Sequence, residues 1–466
     1  MTMNLTKNRL FTGTEAEIGL ASELFESVSK LPIISPHGHV DPRLLAENKP
    51  FSNPAELFIY FDHYVTRLLH AEGYSLSELG KGELSDLVAR KAWRIFCENW
   101  NLFAGTNSGY WLAATFEQLF GISESPSAEN ADLLYDKIAS FLLEPDFLPR
   151  ALFEKFNIEF LATTDDPTDS LEFHQQLKSD VTFSGKVVPT FRPDIYLDPR
   201  TKNWSANVAK LISSAGLSGT TYDNFIAALK NRREYFKANG AVSADHGVYE
   251  PYTTQLSISA ATEIFDAALA GNATKDDMRE FAGFMLTEMA RMSCEDGLVM
   301  TLHAGVFRNH SVETLDEFGA DTGHDVPVAT EFTNNLHALL NAYGNHKNLT
   351  LILFCLDENV WNREIAPLAG FYPAVRVGAP WWFFDAPDSA LRFREKTTEI
   401  SGFYRGSGFI DDTRAFLSIP VRHEMARRVD SMYLARLVSA GRITEAQAKQ
   451  IAVDLVDAVP RKAFKL

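Results

Sequence analysis

Eight short apolar, β-like runs separated by helical patterns constrain this chain more than any other feature. The runs are Leu31–Ile34, Ile158–Thr163, Val187–Phe191, Ala241–Ala244, Leu298–Leu302, Leu349–Phe354, Ala374–Val377 and Gly408–Ile410. Continuous apolar runs suit strands buried on both faces, and helices between them supply right-handed crossovers. Eight such β/α units predict an α/β fold of the (β/α)8 TIM type, a closed parallel barrel. An open doubly wound sheet is the rival. No glycine-rich phosphate loop follows the first run, which weighs against it.

The spacing of the units divides the chain. An N-terminal helix and the first strand occupy 1–45, and a helical insertion after the first strand occupies 46–150. The rest of the barrel follows in 151–466. Thr14 and Glu17 form a capping box for a helix running to Lys30, with Ile18, Ala21, Phe25 and Val28 on one face. In the insertion, Asn53-Pro54 reads as a helix cap and first-turn proline, and the segment on to His70 is rich in aromatics. Further helices are expected around Leu84–Trp100 and Asn130–Leu143, and later from Thr274 to Met292.

A chain of 466 residues is long enough for one large barrel with an insertion. Its net charge of −17 disfavours nucleic acid and acidic membrane surfaces as partners. A small anion would need a local arginine cluster working against that field. No run approaches the roughly 20 apolar residues of a membrane span, and the N-terminus lacks a secretory layout. Cys97, Cys294 and Cys355 are too few and too scattered for a disulfide framework, so the cytoplasm is the expected compartment.

Polar residues gather where the strands end, which is where a barrel carries its chemistry. Strand one ends in His37-Gly38-His39, whose imidazoles leave extended backbone on the same side. Strand two ends in Thr163-Thr164-Asp165-Asp166-Pro167, strand three in Phe191-Arg192-Pro193-Asp194 and strand four in Asp245-His246-Gly247. Strand five ends in His303-Ala304-Gly305, with Arg308 just beyond. Strand seven leads to Trp381-Trp382-Phe383-Phe384-Asp385, and strand eight to Asp411-Asp412-Thr413-Arg414. His37, His39, His303 and Asp412 together suit one zinc or similar divalent ion. Asp245, His246 and Asp411 are expected to support those ligands from behind. Taken singly, His303 is read as a hydrogen-bonded core histidine, and Asp412 as a cap or a partner of Arg414.

These motifs, in this order, resemble the uronate isomerase (glucuronate isomerase) family of the amidohydrolase superfamily. The resemblance also covers Asp62-His63-Tyr64, Ser170-Leu171-Glu172 with His174, and Arg422-His423-Glu424. It implies an intramolecular oxidoreductase of the aldose–ketose type, exchanging D-glucuronate with D-fructuronate and D-galacturonate with D-tagaturonate through an enediol. The implied partner is a small anionic sugar acid, and a homo-oligomer is open. By that resemblance Asp412 carries the proton, and Tyr64 and His63 assist from the insertion. Arg192, Arg308 and Arg414 are the candidates for binding the carboxylate, with Trp381 and Trp382 as an apolar wall. Asp165 and Asp166 are expected only to cap a loop.

The chain departs from the family pattern at Val40-Asp41-Pro42, at Asn107 to Ala113 and at Asp321-Thr322-Gly323-His324-Asp325. None of these touches the expected metal set, but each bears on the substrate pocket. A metal-dependent amidohydrolase or lactonase of the same superfamily is the alternative, since the same centre can activate water. A sugar-acid binding protein that has lost catalysis is a third reading.

Overall fold

The computed structural model describes residues 5–82 and 85–466. Seven of the eight expected runs form parallel strands. They are β1 (Ile33–Ser35), β2 (Ile158–Ala162), β3 (Lys186–Val188), β4 (Ser243–Val248), β5 (Val299–Ala304), β8 (Leu351–Cys355) and β9 (Val375–Val377). Between β5 and β8 lies an antiparallel pair that the apolar pattern does not signal, β6 (Val306–Phe307) with β7 (Val326–Pro327).

The strands β1-β2-β3 form one parallel sheet and β4-β5-β8-β9 another. Phe191, just beyond β3, joins them by bridging Asp165 on one side and Ala244 on the other. All residues of β5 and β8 are buried, as expected of strands covered on both faces.

The eighth run needs correction, because Gly408–Ile410 is not a strand. Contact with β9 is limited to a bridge between Val377 and Gly406, with Ser407 N donating to Val377 O at 2.9 Å. Beyond it Ala379 N donates to the Ser407 side chain at 3.1 Å, where a strand would offer a carbonyl. Gly408 then turns to φ +77, left-handed backbone that cannot continue a ladder. The chain beyond it nevertheless reaches the segment after β1, since His39 N donates to Thr413 O at 3.0 Å.

Among the described residues, six α-helices stand between β1 and β2. Their aromatic core includes Phe58, Trp93, Phe96 and Phe116, and it runs without a break into Ile33, Ile158 and Val187 of β1 to β3. Each such buried side chain contributes on the order of 1.5–3 kcal/mol over an exposed one. The capping box of Thr14 with Glu17 forms as expected, starting the helix Glu15–Val28. After the expected cap at Asn53, the segment on to His70 forms two helical pieces. Asn53 caps the first piece through Glu56 N at 2.9 Å, and Asp62 starts a second, His63–Ala71, through Tyr64 N at 2.9 Å. That break places His63 and Tyr64 at a helix start facing the strand ends.

Candidate functional site

The residues nominated as metal ligands meet at the C-terminal ends of the strands. His37 Nε2 lies 3.2 Å and His39 Nε2 2.9 Å from Asp412 Oδ1. The His303 ring, from β5, packs against those of His37 (centroids 4.6 Å apart) and Phe354 (4.3 Å), with Trp381 edge-on at 4.6 Å. One ligand atom from each of His37, His303 and Asp412 falls within 4.8 Å of the others, a grouping able to hold a metal ion. His39 reaches the same carboxylate oxygen but is not in that mutual set. His303 Nε2 and Asp412 Oδ1 are buried without a hydrogen-bond partner among the described residues. Such atoms are costly to bury, and imidazole nitrogens with a carboxylate oxygen suit a borderline divalent cation. The donor set therefore fits a metal.

Asp412 has φ +43 and Trp382 has φ +52, both left-handed backbone at side-chain-bearing residues. Conformations of this kind cost about 1–3 kcal/mol and persist where the surroundings enforce them.

Asp245 orients the imidazole opposite. Its Oδ1 accepts from His303 Nδ1 at 2.6 Å and from Thr301 Oγ1 at 2.7 Å, and Arg192 Nη1 lies 3.5 Å from its Oδ2. With Nδ1 committed, His303 presents Nε2 as the lone-pair nitrogen. Burial alone would raise the Asp245 carboxyl, but His303, His37 and Arg192 hold it well below the usual range. Asp412 is also held low, because the close imidazoles of His37 and His39 outweigh its burial. Burial takes His39 down to about 4. His246 has no part in this link: it is buried, and its Nδ1 lies 3.0 Å from Thr301 O. Read singly, His303 is the buried, hydrogen-bonded histidine expected, with Nε2 left over, whereas Arg414 pairs with Asp321 at 3.0 Å rather than with Asp412.

Above this centre opens a cavity of about 490 Å³, lined by His39, His63, Tyr64, Arg192, Arg308, Arg414, Trp381, Trp382 and Asp412 among others. His37, His303, Asp245 and His246 lie behind its wall. The three arginines bring positive charge into an acidic protein, and each is already held by a carboxylate. Arg192 Nε donates to Asp194 at 2.8 Å, Arg308 Nη1 to Asp325 at 2.8 Å, and Arg414 lies 3.0 Å from Asp321. Arg308 also lies over the Trp382 ring, 4.9 Å from its centroid. His63 is driven down to about 3 by burial and by Arg414, which makes it neutral. Burial raises the Tyr64 phenol despite the opposing charge of Arg422.

Sequence reasoning passed over three buried groups here. Asp385 and Arg422 pair at 3.1 Å, with Arg422 on the cavity wall, and burial pushes Asp385 up to about 7. Both stood in recognised motifs, but nothing in their spacing gave them a role. The third is Asp165. Asp166 does cap its loop, through Thr168 N at 2.8 Å. Asp165 instead accepts from Thr163 Oγ1 at 2.7 Å and Thr190 N at 3.2 Å, and burial pushes it up to about 7.

Asp165 makes a testable contribution to stability. Folded, it keeps a proton that the unfolded chain loses near about pH 4, so its contribution falls as pH rises between those limits. Asp165→Asn retains an acceptor oxygen and removes that loss. Thermal unfolding at about pH 5 and about pH 8 is expected to show a smaller pH drop in the variant than in the wild type. Equal drops would refute the assignment.

Parallel strands that gather imidazoles and a carboxylate beneath a polar, arginine-bearing cavity define the class, an α/β enzyme with a small-molecule site at its strand ends. Comparison with known proteins agrees and narrows it. The profile of the glucuronate isomerase family matches residues 4–462. A uronate isomerase of Corynebacterium efficiens is 49% identical over 460 residues, 98% of either chain. The crystal structure of glucuronate isomerase from Caulobacter crescentus superposes with a TM-score of 0.97 at 42% identity, covering 100% of this chain and 98% of that one. The uronate isomerase from Thermotoga maritima gives 0.93 at 29% identity, covering 99% of both. The chain belongs to the glucuronate isomerase family and is an aldose–ketose isomerase.

Proposed function

We propose that this chain interconverts D-glucuronate with D-fructuronate, and D-galacturonate with D-tagaturonate, by moving a proton between C2 and C1 through an enediol. The site sits at the mouth of a (β/α)8 barrel built from segments 1–45 and 151–466, with 46–150 inserted. The bridges at Phe191 and Gly406, and the bond from His39 N to Thr413 O, support closure of that ring. Among the described residues no helix is long and apolar enough to cross a membrane. Three buried free cysteines accord with a cytoplasmic setting.

One divalent metal, by its donor set zinc, would be held by His37, His303 and Asp412 with His39 beside them, and would act as a Lewis acid toward the C1 and C2 oxygens. Asp412, kept ionised at the cavity wall, takes the proton from one carbon and returns it to the other. Tyr64, kept protonated, donates to a substrate hydroxyl, and neutral His63 orients it from beneath (ring centroids 4.7 Å apart). Arg192, Arg308 and Arg414 hold the C6 carboxylate, for which the guanidinium fork is suited. Trp381 and Trp382 exclude water from the sugar face.

The observation that carries this reading is the presence of Asp412 on one cavity wall with Arg192, Arg308 and Arg414. The test offers the purified protein glucuronate, galacturonate and a panel of lactones and amides, with its metal content measured. Ketose formed from the uronates is the expected result. Hydrolysis without isomerisation would move the assignment to the hydrolase alternative.

A further inference from the structure

We infer that Arg422 is a positioning residue for the proton transfer, setting the peptide that aims Asp412 and the wall that seats Tyr64. The inference rests on the roles proposed above for those two side chains. Arg422 lies on the helix Ile419–Ser439 and is 1% exposed.

Its hydrogen bonds fall on both sides of Asp412. Nη1 donates to the carbonyl oxygen of Asp411 at 3.0 Å, fixing the peptide that leads into the left-handed residue. Nε donates to Ser418 Oγ at 3.0 Å, and that hydroxyl lies 3.1 Å from Thr413 Oγ1 on the far side. A non-glycine residue at φ +43 stays there only if its neighbours are held, and these two bonds hold them. Asp385 Oδ2 accepts from the same Nη1 at 3.1 Å and balances the buried charge.

The flat face of the guanidinium does the second task. Its central carbon lies 3.7 Å from the centroid of the Trp111 ring and 5.5 Å from that of Tyr64. Trp111 in turn meets Tyr64 edge to face at 5.3 Å. One planar cation thus ties the end of the eighth run to the helical insertion, the two segments that supply Asp412 and Tyr64. Nε and Nη1 are taken up by protein oxygens, so these nitrogens serve the frame rather than the substrate. Lysine keeps the charge but has neither the fork nor the plane.

The test compares kcat and KM for uronate isomerisation in the full-length, metal-matched wild type, Arg422→Lys and Ser418→Ala. For Arg422→Lys, kcat is expected to fall about 10- to 100-fold with KM within about threefold, as for a displaced catalytic group. Ser418→Ala, which frees Nε and cuts its link to Thr413 while leaving Nη1 on Asp411, is expected to show the same split at about three- to tenfold. Should Arg422→Lys not fold, Ser418→Ala decides alone. Folded variants with wild-type kcat overturn the inference, and so does a rise in KM at constant kcat, which would mark a substrate contact. Asp412→Asn runs alongside: if it is inactive while Arg422→Lys turns over normally, only the positioning role fails. A wild type that does not isomerise uronates overturns both.

Discussion

Asp412→Asn is expected to lower kcat for uronate isomerisation by about 10²- to 10⁴-fold, with the protein still folded. A loss of 10³ corresponds to about 4 kcal/mol of transition-state stabilisation. The substitution is nearly isosteric and keeps an amide oxygen beside His37 and His39, which lie 3.2 and 2.9 Å from the carboxylate oxygen it replaces. What it loses is the capacity to take a proton. In the wild type those two imidazoles keep the group ionised against the cost of burial. An amide cannot be made basic by the same contacts. The loss should therefore fall on kcat, and exchange of the C2 proton with deuterated solvent should slow in parallel. Metal content must be measured beside it, because Asp412 also belongs to the grouping able to hold the ion. If metal is retained and kcat stays within about tenfold of wild type, the proton moves by another route.

The positions of most of these groups were legible in the sequence, for a local physical reason. Short buried parallel strands announce themselves as apolar runs, and the residue after each run is placed by the strand end. His37, His303, Asp245 and Arg192 could be read this way. The run Gly408–Ile410 misled because its composition is strand-like while Gly408 turns left-handed. Nothing local distinguishes a glycine that continues a ladder from one that ends it. The pairing of Arg422 with Asp385 and its stacking on Trp111 were illegible for a different reason. They depend on how a late helix packs against an early insertion, which no local spacing encodes. The same holds for the carboxylate partners of the arginines. Asp321 and Asp325 lie in a loop whose motif departs from the family pattern, and only the fold brings them to Arg414 and Arg308.

Tyr64→Phe carries the second large expectation, a fall in kcat of about 10²-fold with KM little changed. The ring keeps its stacking on His63 at 4.7 Å and its edge contact with Trp111 at 5.3 Å, so the fold should be indifferent to the change. Burial raises the phenol, which therefore stays protonated and serves as a donor rather than a base. Two consequences distinguish that role. Activity lost on raising the pH should not trace to Tyr64, so the alkaline limb of the profile should survive in Tyr64→Phe. The double variant with Asp412→Asn should also lose much less than the product of the two single losses, because groups acting in one proton transfer cannot each be lost in full. Multiplicative losses would mean that Tyr64 serves a separate step, and the donor role proposed for it beside Asp412 would have to be given up.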